Sequence, residues 1–323
     1  MSEKKNAPER RGRAMTRRDR DVTRLSREFY ARYHFPGTRP IDSDGLIFMR
    51  RFTRSVDARL RDRCGRRLRV LDAGCGTGNT SIALARRFAD ADFTGLDNSQ
   101  PSLDVASRSA RGMRNLSFRR WNLMRPVPYA RPFDIILCLG VLHHTADMAR
   151  VLANLSGSLA PDGELYLWVY GRHGRYRHAL NVELLRMLLA VKPPPEDPVA
   201  LAGAYAWSAD HGSPLNDLLG GAAGDALSRK TLEDPVWIAD QFLNPRECLL
   251  DMKELLALAR GAGLEICELL GLSEDAASRF GSAELSGRYS RLSRTGRLIA
   301  LDLLCKPDRY FALLRRIRQK QKK

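Results

Sequence analysis

A short apolar run, Leu68-Arg69-Val70-Leu71, leads straight into Asp72-Ala73-Gly74-Cys75-Gly76-Thr77-Gly78, and residues 79–88 continue with apolar side chains at helical spacing. Three glycines at alternate positions between a strand and a helix let the backbone turn tightly and approach a ligand closely. The helix start beyond them offers free N–H groups and a positive dipole end to an anionic group. Strand, glycine turn and helix together predict a nucleotide-type site at the carboxyl edge of a parallel sheet.

The spacing Gly-x-Gly-x-Gly differs from the Gly-x-Gly-x-x-Gly of the dinucleotide fingerprint. Asp72, two positions before the first glycine, would repel a pyrophosphate and would welcome an α-amino group. The next strand, Asp92-Phe93-Thr94-Gly95-Leu96-Asp97, ends on an acid suited to two ribose hydroxyls. These parts suit an adenosyl group with an amino-acid tail, and they argue against an NAD-dependent oxidoreductase. The residues resemble the class I methyltransferases that use S-adenosylmethionine. The resemblance covers 68–170 well and the helix–strand near 249–270 more weakly.

The resemblance implies an α/β fold, with a doubly wound, mostly parallel Rossmann-like sheet. It implies S-adenosyl-L-methionine as cofactor and S-adenosyl-L-homocysteine as product. Asp72 with the backbone of Gly74, Gly76 and Gly78 would hold the methionine end. Asp97 would accept the ribose hydroxyls and Asn98 would lie along the adenine edge. Asn122 stands where the family more often has Asp against the adenine amino group; an amide oxygen can accept the same bond. Leu123 would offer its N–H to the ring, and Leu139, just after the fourth strand, would bind the cofactor. In the loop Leu139-Gly140-Val141-Leu142-His143-His144-Thr145, His143 has two readings: orienting or deprotonating the acceptor, or loop packing. Tyr170, Arg172 and Arg175 leave the fifth strand toward the acceptor side, where the arginines either bind an acidic acceptor or pair with carboxylates of the insertion that follows.

From 68 onward, strands and helices alternate as in a doubly wound sheet. Expected elements are a helix at 99–111, strands at 115–121 and 133–138, a helix at 146–159, a turn at Pro161-Asp162-Gly163 and a strand at 164–170. An insertion, 171–248, then leaves the carboxyl edge, carrying an amphipathic helix at 180–191 and a Gly/Ala-rich stretch at 201–228; it reads as a substrate cap. Asp240–Glu247, at its end, resembles a segment found in some unclassified family members. A helix at 252–262 and a sixth strand at 264–269 follow, and Leu298–Leu304 reads equally as helix or final strand. The expected domains are a basic disordered tail (1–23), a helical lid (24–66), the cofactor core (67–170), the insertion (171–248), the rest of the core (249–314) and a basic tail (315–323).

The chain carries a net charge of +17. Residues 1–69 hold 21 Lys/Arg against 9 Asp/Glu, residues 306–323 hold 8 against 1, and the span between holds 25 against 27. Basicity therefore belongs to the ends, where nucleic acid is one expected partner and plain solvation is the other reading. No apolar run reaches the roughly 20 residues that cross a bilayer. The six cysteines are scattered, so neither a disulfide framework nor a metal site is expected, and a cytoplasmic setting follows. A small-molecule acceptor under the insertion is the first expectation, RNA the second, and a non-catalytic nucleotide-binding protein the rival of a different class.

Overall fold

The sheet has seven strands, β1 (Arg69–Ala73), β2 (Asp92–Asp97), β3 (Leu116–Arg120), β4 (Phe133–Leu139), β5 (Leu159–Tyr170), β6 (Leu264–Leu269) and β7 (Arg309–Arg316), in the order β3-β2-β1-β4-β5-β7-β6. The computed structural model describes residues 14–36, 47–62, 66–206, 234–274 and 277–317. Every strand pair is parallel except those of β7, which runs against both β5 and β6. Strand order reverses between β1 and β4, and such a switch point opens a crevice at the carboxyl ends of the strands.

Both faces of the sheet are covered, which is why the central strands read as near-continuous apolar runs. On one face Val70, Ile135 and Leu137 pack with α2 (Ile47–Asp62) and α3 (Asn79–Arg87). On the other, Leu71, Ile136 and Cys138 pack with α5 (Met148–Gly157) and with the later helices α9 (Met252–Gly261) and α11 (Arg294–Cys305). Between them in sequence lie α4 (Gln100–Ser109) and, in the insertion, α6 (Tyr176–Leu189), α7 (Pro198–Ala206) and the short α8 (Pro235–Ile238); α10 (Ala283–Ser290) follows β6. The insertion has a small core of its own around Leu185, Ala202, Ala206, Ile238 and Phe242. Its two ends meet: Gly171 bridges to Leu250, and the Leu250 amide donates to the Tyr170 carbonyl at 3.2 Å.

Several expectations change. Residues 17–23, placed in the disordered tail, form the first turns of α1 (Arg17–Arg32), whose start Thr16 and Asp19 close with a capping box. Residues 1–13 lie outside the described residues. α2 does not join a lid: Phe52, Val56 and Leu60 are buried on the sheet, and Arg59 pairs with the buried Glu164 of β5. Pro161-Asp162-Gly163 is a bulge inside β5, where the register against β4 shifts, and not a turn before it. Leu298–Leu304 is helix, with Ser293 capping its start. The final strand is β7, so residues 315 and 316 belong to the sheet rather than to a tail. Arg315 pairs with Glu164, and Arg316 donates to the carbonyls of Ser156 and Leu159. In α6 apolar side chains face both ways: Leu185 is buried, while Tyr176, Leu180, Leu184, Met187 and Leu188 are exposed. Most of the Gly/Ala-rich stretch, from 207 on, lies outside the described residues.

Phe52 tests the place of α2. Its ring sits 5.7 Å from Tyr166 and 5.1 Å from Phe311, both sheet residues. Phe52→Ala should lower stability by about 3–5 kcal/mol in urea denaturation, the usual cost of emptying a buried phenylalanine site. A loss under about 1 kcal/mol would return α2 to a loosely held cover.

Candidate active site

The site forms where β1 ends beside β2 and β4. Gly74, Gly76 and Gly78 adopt φ of 84°, 53° and 78°, the left-handed region that side chains disfavour. The Gly74 and Cys75 amides both donate to the Leu96 carbonyl, at 2.7 and 3.1 Å, which ties the turn to β2. A Cβ at Gly76 would overlap the carbonyl oxygen of Phe35, and one at Gly78 would press on the Phe118 ring. The tight approach at Gly76 is thus made by the chain's own aromatic turn after α1, whose Phe35 carbonyl also accepts from the Thr77 amide at 3.4 Å.

Two carboxylates face this turn. Asp72 is 5% exposed and accepts from the Ser81 hydroxyl at 2.5 Å. Burial, reinforced by the charge of Asp97 and opposed by the Ser81 bond, pushes its carboxyl up to about 6. Asp97 accepts from the Gly76 amide (2.9 Å) and the Ser99 amide (2.8 Å), and burial pushes it above the usual carboxylate range despite those bonds. No described Lys, Arg or His forms a salt bridge with either acid. Two such acids side by side favour a ligand that brings a cation to Asp72 and hydroxyl donors to Asp97, whose oxygens retain lone-pair capacity. The residues present therefore fit S-adenosylmethionine, with its α-ammonium and ribose.

Asn98, partly exposed, follows Asp97 directly. The Trp121 amide donates to the Asp97 carbonyl at 2.7 Å, which brings the segment after β3 to the same edge. There the Asn122 side-chain oxygen accepts from the Met124 amide at 3.0 Å, with a second lone pair to spare. Leu123 is buried, its carbonyl held by Asn154, and Leu139 ends β4.

His143, in a 3₁₀ turn after β4, is fully buried, and neither ring nitrogen has a hydrogen-bond partner among the described residues. Burial first, then His144 and Arg175, hold its imidazole well below the usual value, so the ring is neutral. Its ring lies 4.3 Å from that of Tyr170. The Tyr170 phenol accepts from Gln241 Nε2 at 2.9 Å, and burial pushes it up to about 12. The two arginines are engaged by carboxylates of the chain. Arg175, stacked 3.6 Å over the Tyr170 ring, holds Glu247 with two bonds of 3.1 Å. Arg172 holds Asp251 (3.2 Å) and Glu254 (2.7 Å). Of the two readings of these arginines, internal pairing is the geometry observed.

The sequence reading did not single out Tyr30, Asp240, Gln241 or Asn244 as site residues. The Tyr30 phenol donates to Asp240 Oδ1 at 2.9 Å and accepts from Asn244 Nδ2 at 2.8 Å, while its backbone carbonyl accepts from the hydroxyls of Ser99 and Ser102 at 3.3 Å each. The Ser26 hydroxyl donates to the His144 carbonyl, also at 3.3 Å. One stretch of α1 and its turn therefore touches the glycine turn, the start of α4, the β4 loop and the insertion. The available signal was Asp240–Asn244 itself, polar groups set between Ala239, Phe242 and Leu243.

Comparison with known proteins adds three findings. Residues 71–165 match a family described as "Methyltransferase domain". An uncharacterized protein of Synechococcus sp., syc1184_c, is 31% identical over 247 residues, covering 74% of this chain and 57% of that protein. A ubiquinone biosynthesis O-methyltransferase of Coxiella burnetii is 34% identical over 105 residues, 32% of this chain and 44% of the enzyme. The chain thus spans about half the length of these relatives. The solved structure of PKMT2 from Rickettsia typhi in complex with AdoHcy shares the fold, with a TM-score of 0.58 at 17% identity, over 79% of this chain and 50% of that one.

Asp72 has a measurable consequence for stability. Its folded value of about 6 lies above the ordinary 3.8, so its ionisation opposes folding: the native state loses stability as pH rises from 4 through 6. Asp72→Asn keeps an acceptor for Ser81 and removes the charge. It should be more stable than wild type by about 3 kcal/mol at pH 8 in urea denaturation, with the gain vanishing toward pH 4. Destabilisation by Asp72→Asn at pH 8 would contradict this electrostatic picture.

Proposed function

We propose, from the match of residues 71–165 to a methyltransferase domain, that the chain binds S-adenosylmethionine at the glycine turn and passes its methyl group to a small-molecule acceptor beneath the insertion. The observation that carries this reading is the pair Asp72 and Asp97, two adjoining acids without a cation to neutralise them among the described residues. An α-ammonium at Asp72 and ribose hydroxyls at Asp97 complete that charge balance. The glycine turn and the N-terminus of α3 suit the carboxylate of the same ligand.

When bound, S-adenosylmethionine supplies a methyl group on a sulfonium, already a good leaving group. The protein's task is then alignment and exclusion of water more than acid–base work. The end of α1, with Tyr30 and the turn to Pro36, acts as the lid; the insertion supplies the acceptor wall. His143 presents a neutral imidazole with two unpaired nitrogens to that wall, able to donate to the acceptor and to accept from it. The relative named for ubiquinone biosynthesis supports a small-molecule acceptor, and the use of Arg315 and Arg316 within the sheet weakens the case for RNA at the carboxyl end.

Isothermal titration tests the reading. S-adenosylmethionine should bind at pH 8 and NADH should not. Because the bound ammonium requires ionised Asp72, affinity should be level above about pH 7 and fall toward tenfold per pH unit below about 6. Equal affinities at pH 5 and pH 8 would mean that Asp72 does not face the ligand's ammonium, and binding of NADH alone would defeat the cofactor assignment.

A further inference from the structure

Residues Ala239–Leu243 form a single π-helical turn at the end of α8. Such turns are rare and recur at functional sites, because the extra residue pushes side chains out of helical register. Here the turn delivers Asp240 and Gln241, 4% and 6% exposed, to the wall made by Tyr30, Tyr170 and the β4 loop. Asp240 is bonded by neutral donors alone among the described residues: the Tyr30 phenol at 2.9 Å, Gln241 Nε2 at 3.0 Å and Asn244 Nδ2 at 3.4 Å. The cation nearest in the network, Arg175, is already neutralised by Glu247. A buried carboxylate without a cationic partner is costly to keep for stability alone.

His143 gives a second, independent sign of a ligand. The network runs from Asp240 through Gln241 to the Tyr170 phenol, and the Tyr170 ring lies against His143, whose two nitrogens are buried and unpartnered. Leaving both unbonded is unfavourable, and a hydroxyl or amine, which both donates and accepts, would satisfy them and give its hydrogen to Asp240. The wall thus offers a carboxylate acceptor and the one donor and one acceptor nitrogen of His143, with no free cation among the residues named.

We propose that Asp240 is the carboxylate that receives the methyl acceptor, taking its O–H or N–H, and that the acceptor is an alcohol, phenol or amine rather than a carboxylic acid. This rests on the cofactor reading above. In the transfer, a lone pair of the acceptor oxygen or nitrogen forms the new bond to the methyl carbon. The carbon–sulfur bond breaks with its electrons going to sulfur, which turns the sulfonium into a neutral thioether. The acceptor's proton passes to Asp240 and from there to solvent. Tyr30, Gln241 and Asn244 are positioning residues that fix the carboxylate. Asp240, bonded by neutral donors alone among the described residues, would repel an acidic acceptor.

The test needs no knowledge of the acceptor. Sinefungin resembles S-adenosylhomocysteine but carries a protonated amine where the transferable methyl would stand, so its ammonium enters the acceptor space. Wild-type protein should bind sinefungin at least about tenfold more tightly than S-adenosylhomocysteine, the effect of one charged hydrogen bond. Asp240→Asn should bind S-adenosylhomocysteine within about threefold of wild type, which reports an intact fold, and should lose the preference to within about twofold. Asp240→Glu should retain part of it. A wild-type protein with no preference, or a preference that survives Asp240→Asn, would overturn the proposal. Failure of the wild type to bind either ligand would instead defeat the cofactor reading on which the proposal stands.

Discussion

Two acids meet at the end of β1 and β2 with no cation among the described residues to neutralise them, and the rest of the site is arranged around that imbalance. Asp72 is buried because both faces of the sheet are covered where β1 ends, so the strand is interior from Val70 to Ala73. Asp97 is held in place by the amides of Gly76 and Ser99, so the glycine turn and α4 are both anchored on it. Burial raises both carboxyls, and the ammonium of the proposed ligand would relieve the pair.

The second organising contact is made by the end of α1. None of its residues is fully buried, and the helix is held to the body by Tyr30, Ser26 and Phe35 through hydrogen bonds. Few buried apolar contacts and polar attachment describe an element that opens at low cost. Because Tyr30 reaches the α4 start with its backbone and Asp240 with its phenol, it ties the end of β2 to the insertion.

What could be read from the sequence was local. Asp72, the three glycines and Asp97 lie within 26 consecutive residues of a strand–turn–helix–strand unit, so the resemblance that implies their roles is carried by local sequence. The central strands were legible because burial on both faces leaves them apolar throughout. Tyr30 and Asp240 were not, since 210 residues separate them and only the folded insertion brings them together. The carboxyl end misled for a related reason. Arg315 looks like part of a basic tail until Glu164, 151 residues away, is seen to pair with it. The apolar run 298–304 suits helix and strand alike, and its cap at Ser293 decides the matter. Which carboxylates Arg172 and Arg175 pair with was not legible, because Glu247 lies at the far end of the insertion and Asp251 and Glu254 beyond it, at the start of α9.

The central claim is that the site lacks a positive charge which its ligand must bring. Comparing S-adenosylhomocysteine with its desamino analogue, in parallel titrations at pH 8, isolates that charge, because everything else in the two ligands is the same. Loss of an ammonium that faces a buried carboxylate should weaken binding at least about tenfold. Equal affinity for the two ligands would contradict the account, since Asp72 would then have no partner to await.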